Sequence, residues 1–287
     1  TYKALEASKA WSKAEMIAPK QFREEISPYF NANPKKYISA LVSEDCWQAT
    51  PGKVVDLVRN LGIAAGGTVM EDCRVLEACR EGKYTSVLVQ THDKKYVEYR
   101  TEHFVNALGS GAGKLCDSMG IDAGLYPVRH QAFITRRLPM LGKHGTNLDM
   151  LIDRQDYKGF SAVYGQQIAY TGQIIGCASP KLDAMRIDKN LKVNTKAFLE
   201  IVSEMFSEWI PDLAGVGIQA VWAGYYTEPR YIVDPELGLF VGMRGHGFML
   251  SQYIARMYVD KLLGRPVPEY FEKLKLNGPG LSEKAFK

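Results

Sequence analysis

The chain has 287 residues, of which 46% are hydrophobic and 24% are charged, and its formal net charge is +4. This balance is typical of a soluble globular protein, and the length predicts two domains. The charge is spread without a basic block, and no apolar stretch reaches the roughly 18 residues that cross a bilayer. We therefore predict neither a nucleic-acid partner nor a transmembrane segment. The composition favours the cytoplasm, with peripheral attachment to a membrane left open.

The five cysteines and five histidines form no pattern typical of a metal site or a disulfide framework. The cysteines lie far apart without a CxxC pair, and the histidines form neither HxH nor HExxH. This spacing favours a reducing compartment. We predict that the protein holds no metal.

Hydrophobic periodicity predicts helices and strands along the first 120 residues. Residues 1–30 show helical spacing, and residues 38–42 are an apolar run typical of a strand. A helix is predicted to begin at Thr50-Pro51 and to end at Gly66-Gly67. Three strands of a meander and a fourth, continuous apolar strand follow at 69–78, 86–91, 96–99 and 103–108.

Two segments place glycines between a predicted strand and a predicted helix: 105–113 (VNALGSGAG) and 241–248 (VGMRGHGF). Such a turn lets backbone approach a ligand closely, and the new helix offers its N-terminus to an anion. The alternative is a tight connection of any α/β fold, since GxGxG in 105–113 is not a dinucleotide fingerprint. Between them, residues 128–178 alternate between apolar and polar side chains in several runs, as the strands of a half-buried sheet do. Residues 195–209 are predicted as an amphipathic helix.

The order of these pieces resembles the D-amino-acid oxidase superfamily, in particular the branch with sarcosine oxidase, dimethylglycine dehydrogenase, glycine oxidase and the β subunits of dye-linked proline dehydrogenases. The resemblance covers about residues 35–265. The motifs that carry it are Arg74-Val75, Asn106 to Gly109, 127–135 (PVRHQAFIT), 222–234 (WAGYYTEPRYIVD) and 242–248 (GMRGHGF).

This resemblance implies a two-domain fold of the α/β (mixed α+β) class. An FAD-binding Rossmann-like domain is implied for 49–127 and 224–264, and a substrate domain with a large mixed sheet for 1–48 and 128–223. Residues 265–287 are predicted to be a C-terminal tail.

The resemblance also implies FAD, and it implies residues that contact it. The backbone of Val75 would meet the adenine, and Ala107 and Gly109 would lie beside the pyrophosphate and ribose. The turn under the pyrimidine edge of the flavin would comprise Gly245, His246, Gly247 and Phe248, followed by Met249. A helix N-terminus there would stabilise negative charge on the reduced flavin by about 0.3–2 kcal/mol. The flavin is expected to be non-covalent, because Gly224 stands where the family's attachment cysteine would align.

Four side chains are candidates for the catalytic site: Arg129, Tyr226, Arg230 and His246. An arginine can hold a substrate carboxylate through two hydrogen bonds, although either arginine can equally form a surface ion pair. Tyr226 is implied to face the flavin ring or to pack within its sheet. His246 either polarises the flavin or fills the turn.

Two departures from the family pattern qualify the expected function. The family's GxGxxG segment does not precede Thr1, so a separate chain or segment is expected to supply it. Met249 stands where the oxidases carry a lysine that promotes the reaction with oxygen. We therefore expect a dehydrogenase that oxidises the C–N bond of a small amine or amino acid by hydride transfer to flavin N5. Its acceptor would be a quinone, a dye or a redox protein.

Two alternatives stay open. One is an FAD-dependent hydroxy-acid dehydrogenase of the same superfamily, which a histidine base near the flavin would favour. The other is a non-catalytic or electron-relay subunit of a flavoenzyme complex, because fold-level likeness does not establish catalysis.

Overall fold

The structure is a computed structural model that describes residues 14–26, 31, 35, 37, 39–43, 48–138, 141, 148–153, 160–168, 171–180, 195–211 and 214–280. The chain divides into two compact units. Unit 1 comprises Thr1–Cys46, Val128–Tyr225 and Lys284–Lys287, and unit 2 comprises Trp47–Pro127 and Tyr226–Glu283. Across the described ranges, no helix is long and apolar enough to cross a membrane.

Twelve strands are found in the described part of the chain. In chain order they are β1 (Ala14–Ile17), β2 (Ala40–Ser43), β3 (Arg74–Glu81), β4 (Tyr84–Gln90), β5 (Tyr96–Thr101), β6 (Tyr126–Thr135), β7 (Leu151–Asp153), β8 (Phe160–Gln167), β9 (Ile174–Pro180), β10 (Ile218–Glu228), β11 (Ile232–Asp234) and β12 (Leu239–Val241).

The α-helices are α1 (Pro19–Gln21), α2 (Pro51–Ala64), α3 (Ala112–Ser118), α4 (Thr195–Trp209) and α5 (Gly247–Leu262). A π-helical turn at Phe22–Ile26 follows α1. Short 3-10 turns lie at Gly109–Gly111, Arg244–His246 and Glu269–Leu274.

Unit 1 is built on a five-stranded sheet whose strand order is β10-β6-β9-β8-β7. The amphipathic helix α4 contributes to the same core as the sheet, because its apolar face is buried together with Phe133 of β6. The ring of Phe133 lies 5.5 Å from that of Phe206, edge to face, and 6.1 Å from that of Phe198. These contacts join the predicted sheet and the predicted helix into one core.

Asp153 of β7 is a buried carboxylate. Trp209 Nε1 and Tyr37 Oη each donate a hydrogen bond of 3.0 Å to its Oδ2. Both partners are distant in sequence, so only the fold brings them to this carboxylate. A buried charge is tolerated when it is hydrogen-bonded in this way.

Unit 2 combines the predicted meander with a short parallel element. The meander has the order β3-β4-β5, and α3 packs against it through Leu115. Strands β11 and β12 pair antiparallel, and Asn106 forms a single parallel bridge with Leu239 at the start of β12.

Two of the predicted elements are wrong in detail. Residues 14–17, predicted as helix, form β1, because they pair antiparallel with β2 and tertiary pairing overrides helical spacing. Residues 103–108, predicted as a continuous strand, make only the bridge at Asn106. The backbone N–H of Asn106 donates to Gly238 O at 2.8 Å. The remaining part of the helix predicted for 1–30 lies partly outside the described residues.

The segment predicted as a tail takes part in the core of unit 2 over its described length. Phe271 and Leu274 of the turn Glu269–Leu274 are 0% and 2% exposed, and they pack with Met257 of α5 and Val233 of β11. Burial of this kind contributes about 1.5–3 kcal/mol for each large apolar side chain.

Candidate functional site

The glycine turn after β12 is shaped by residues 242–247 and packs closely against the segment that follows β10. Gly242 has a φ of 72°, and a Cβ placed on it would overlap the carbonyl oxygen of Arg230. A Cβ on Gly245 would lie 2.6 Å from Cε2 of Tyr226. Protein contacts therefore require glycine at 242 and 245, in addition to any requirement that a ligand imposes.

A half-buried ion pair lies on this turn. Arg244 has a φ of 50°, and its Nε lies 2.6 Å from Oε2 of Glu228, with side chains 24% and 14% exposed. A left-handed backbone at a residue other than glycine costs of order 1–3 kcal/mol and persists only where its surroundings enforce it. The ion pair and the turn thus hold the Arg244 charge beside a carboxylate.

His246 is hydrogen-bonded to Tyr231. The distance between Tyr231 Oη and His246 Nδ1 is 2.5 Å, and the ring centroids are 6.2 Å apart. Burial, and to a smaller extent the charge of Arg244, lowers the pKa of His246. Burial raises the pKa of Tyr231; Arg244 opposes this effect, while Glu228 adds to it. Both shifts favour the neutral forms of the two side chains.

Arg230, predicted as a possible substrate ligand, contacts backbone carbonyls in the structure. Its Nη1 donates to Gly278 O at 3.0 Å, and its Nη2 donates to Leu276 O. These bonds hold the segment after the turn Glu269–Leu274 in place. A role in binding a substrate carboxylate would compete with them, so that role stays a prediction.

Arg230→Ala is expected to lower the melting temperature of the protein. Each hydrogen bond from a charged donor contributes about 1.5–3 kcal/mol, and the variant removes two of them. The matched control is Arg256→Ala, which removes only a long ion pair to Asp260 from a side chain that is 82% exposed. Exposed pairs contribute about 0–1 kcal/mol. Equal thermal denaturation midpoints for the two variants would contradict this account of Arg230.

The first glycine segment, at 105–113, is organised by the fully buried side chain of Asn106. Its Nδ2 donates to Ala112 O at 3.0 Å, and its Oδ1 accepts the amide of Leu108 at 3.2 Å. Ala107 and Gly109 are exposed, and Gly109 has a φ of 55°. Within the described chain, no atom lies within 4 Å of a Cβ built on Gly109. Asn106 thus ties the turn to α3 and leaves open backbone at 107–109.

The other predicted site residues lie on both units. Val75 is half-buried at a bulge in β3, and Phe248 and Met249, at the start of α5, are 44% and 67% exposed. Tyr226, Arg230 and His246 come together around the turn at 242–247, whereas Arg129 lies on β6 in the part that belongs to unit 1. The structure therefore brings the side chains of Tyr226 and His246 to this turn together with the backbone of Arg230, whose guanidinium is bonded to other carbonyls.

Sequence reasoning missed Glu228 and Tyr231. Both lie inside the motif at 222–234, but their partners are 15 or 16 residues away along the chain. The only signal in the sequence was the unusual density of polar and aromatic residues in that motif. As for metals, no group of three or more His, Cys, Asp or Glu side chains in the described ranges is arranged to hold an ion.

Comparison with known families decides the fold. The profile of the family described as FAD dependent oxidoreductase (DAO) matches residues 2–261. The chain belongs to this family. The predicted superfamily, the α/β fold class and the FAD cofactor are thereby confirmed. The assignment of FAD binding and substrate binding to particular residue ranges stays a prediction.

Solved structures share the fold of this DAO-family chain at low sequence identity. L-proline dehydrogenase from P. horikoshii is 24% identical with a TM-score of 0.72, over 92% of this chain and 68% of that one. Glycine oxidase from Geobacillus kaustophilus is 16% identical with a TM-score of 0.73, over 96% and 70%. Iminodiacetate oxidase from Chelativorans sp. BNC1 is 13% identical with a TM-score of 0.71, over 98% and 71%. A search of curated protein sequences gave no significant match.

The residues of unit 2 fit FAD at the two glycine turns. Backbone at 107–109 is exposed beside the start of α3, and no protein atom fills the space above Gly109 in the described structure. The turn before α5 exposes Gly245 and leads into a 16-residue helix whose N-terminus favours negative charge. These are the two places at which the family resemblance implies contacts to the pyrophosphate and to the flavin.

Proposed function

We propose that this DAO-family protein is a dehydrogenase that oxidises the C–N bond of a small amine or amino acid. Three structural neighbours are an L-proline dehydrogenase, a glycine oxidase and an iminodiacetate oxidase, which supports a substrate with nitrogen next to the reacting carbon. The observation that carries the choice of dehydrogenase is Met249, which presents a neutral thioether on the first turn of α5. FAD, when bound, accepts the hydride, and the protein supplies orientation and electrostatics.

The side chains around the turn at 242–247 make its surroundings polar without a net charge. Glu228 compensates the charge of Arg244, and His246 is neutral, so the turn offers hydrogen-bond donors without net positive charge. Arg129 remains the candidate for the substrate carboxylate, because a guanidinium binds a carboxylate through two parallel hydrogen bonds. We expect Tyr226 to support the turn through its contact with Gly245.

A specific observation also favours the second candidate function, oxidation of a hydroxy acid. That reaction needs a base for the hydroxyl proton. Burial lowers the pKa of His246 and so favours a neutral imidazole, which can act as this base only in the tautomer that carries its proton on Nδ1 and leaves Nε2 as the acceptor. Dye reduction by the FAD-loaded protein with matched pairs of amino and hydroxy acids separates the two candidates. Turnover with amino acids or secondary amines supports the first; turnover with hydroxy acids alone overturns it. Reduction of the flavin by neither class would favour a non-catalytic subunit.

We further propose that residues 1–287 bind FAD tightly only together with a dinucleotide-binding segment, carried on the same or another polypeptide. Helix α2 has no buried residue, and Leu57, Val58 and Leu61, which share one face at helical spacing, are 58%, 49% and 61% exposed. Covering each such side chain is worth about 1.5–3 kcal/mol, so this face favours a partner surface. The chain covers 68–71% of the three neighbours described above, and the rest of each has no counterpart in these residues.

Titration of FAD into purified residues 1–287, followed by flavin fluorescence, tests the requirement for this segment. We expect weak binding by these residues alone and a yellow complex when the protein is isolated from its source with its partners. Intact-mass measurement of the complex identifies the polypeptide that carries the segment. Tight, stoichiometric binding of FAD by residues 1–287 alone would refute the requirement.

Two substitutions on α2 test whether its apolar face is the docking surface. Leu61→Lys should weaken the complex, because it places a charge in the contact. Asp56→Lys, on the opposite face at helical spacing, should leave it intact. An intact complex with Leu61→Lys would show that the segment docks elsewhere.

A further inference from the structure

The pair formed by Tyr231 and His246 is held by rigid elements on both sides. Tyr231 directly precedes β11, whose Ile232 and Val233 are 0% exposed, and His246 ends the 3-10 turn before α5. The 2.5 Å separation of Oη and Nδ1 requires one proton between them. Which atom carries that proton decides which of the two imidazole nitrogens donates a hydrogen bond and which accepts one.

The chemistry of the two groups decides the direction of the bond. A neutral imidazole nitrogen is a better hydrogen-bond acceptor than a neutral phenol oxygen. The ordinary pKa values of about 6.5 for imidazolium and 10 for phenol also disfavour transfer of the phenol proton to the imidazole. Burial has the largest effect on both pKa values and favours both neutral forms. Arg244 disfavours a cationic imidazole but favours a phenolate, and Glu228 disfavours the phenolate. The neutral pair with the phenol as donor is therefore the stable form.

We infer that Tyr231 is a positioning residue that donates to Nδ1 of His246 and so holds this histidine in the tautomer with its proton on Nε2. A neutral histidine has one donor and one acceptor nitrogen, and the partner of one nitrogen fixes the role of the other. Nε2–H is then a hydrogen-bond donor that carries no net charge.

The consequence for the reaction rests on the proposed function. A neutral donor in the turn before α5 stabilises developing negative charge on a bound flavin or substrate without the full attraction of a cation. Loss of Tyr231 would let His246 populate the other tautomer, in which Nε2 accepts instead of donating. We expect Tyr231→Phe to shift the midpoint potential of the bound flavin towards more negative values.

The tautomer is measured directly by two-bond ¹H–¹⁵N correlation spectra of the protein, in the form in which it is isolated, labelled at its histidine side chains at pH 8. The chain has five histidines, and the His246 signals are assigned by their loss in His246→Gln. We expect Nδ1 of His246 to give the shift of an unprotonated nitrogen and Nε2 that of a protonated one. In Tyr231→Phe the two shifts should move towards each other as the second tautomer appears.

The matched control is Tyr253→Phe, which removes the hydrogen bond between the hydroxyls of Tyr253 and Tyr270 from a side chain that is 55% exposed. It should leave the His246 shifts unchanged. A protonated Nδ1 in the unaltered protein overturns the inference even if Tyr231→Phe does not fold, and so do His246 shifts that are identical with and without Tyr231. A tautomer change without any change in flavin potential would instead count against the proposed placement of the flavin, and leave the tautomer established.

Discussion

Gly242→Ala is expected to prevent stable folding of unit 2, with a loss of about 4 kcal/mol or more. Two costs add at this position. A residue with a side chain in the left-handed region costs about 1–2 kcal/mol, and Gly242 has a φ of 72°. The added Cβ would also overlap the carbonyl oxygen of Arg230, which is a backbone atom and cannot turn away as a flexible side chain does.

The Arg230 backbone has little freedom to move. Its side chain donates to the carbonyls of Leu276 and Gly278, and the next residues lead into the buried strand β11. Moving Arg230 to make room for a methyl group would therefore disturb the contacts of the 276–278 segment as well as the turn before α5. The variant should be poorly soluble or melt far below the unaltered protein.

Gly264→Ala separates the two costs. Gly264 has a φ of 68°, similar to that of Gly242, but in the described structure no atom lies within 4 Å of its added Cβ. This control should lose only the backbone term, about 1–2 kcal/mol. Circular dichroism melts of the two variants measure the difference, and equal losses would show that the overlap with Arg230 relaxes easily.

Met249→Lys is expected to accelerate reoxidation of the FAD-loaded, reduced protein in air by up to about a thousandfold. Oxygen is reduced through superoxide, an anion that a nearby ammonium stabilises by about 4 kcal/mol at 4 Å and an effective dielectric of 20. Since about 1.4 kcal/mol changes a rate tenfold, this attraction sets the upper limit of the effect. Water around a side chain that is 67% exposed would reduce it.

The charges already present near Met249 do not replace that ammonium. Arg244 is paired with Glu228 at 2.6 Å, and burial together with Arg244 lowers the pKa of His246 below its ordinary value. In the unaltered protein, the reduced flavin should therefore persist in aerated buffer while an added dye is reduced promptly.

Stopped-flow absorbance of the reduced flavin mixed with aerated buffer measures the rate, and a peroxide assay confirms the product. Gln252→Lys is the control, because it adds the same charge one turn further along α5 on an exposed position. It should change the rate much less than Met249→Lys. Rapid peroxide formation by the unaltered protein with an amine substrate would show that Met249 does not limit the reaction with oxygen.

The sequence by itself determined the elements that depend on local spacing and on local turn chemistry. Helices α2, α4 and α5 follow from apolar residues at helical intervals, and the meander β3-β4-β5 from alternation between short turns. The glycines at 109, 245 and 247 and the family motifs around them predict where FAD binds, since a motif is contiguous in the chain, and that placement stays a prediction. The family match at 2–261 confirms the cofactor.

Only the tertiary structure decided the features that join distant segments. The strand at Ala14–Ile17 exists because Ala40–Ser43 pairs with it, and Asn106 makes one bridge instead of a strand because its partner β12 is short. Arg230 meets carbonyls 46 and 48 residues away, and His246 meets Tyr231 15 residues away. Such contacts leave no periodic trace, because side-chain spacing reports the geometry of one element and not the neighbour against which it packs.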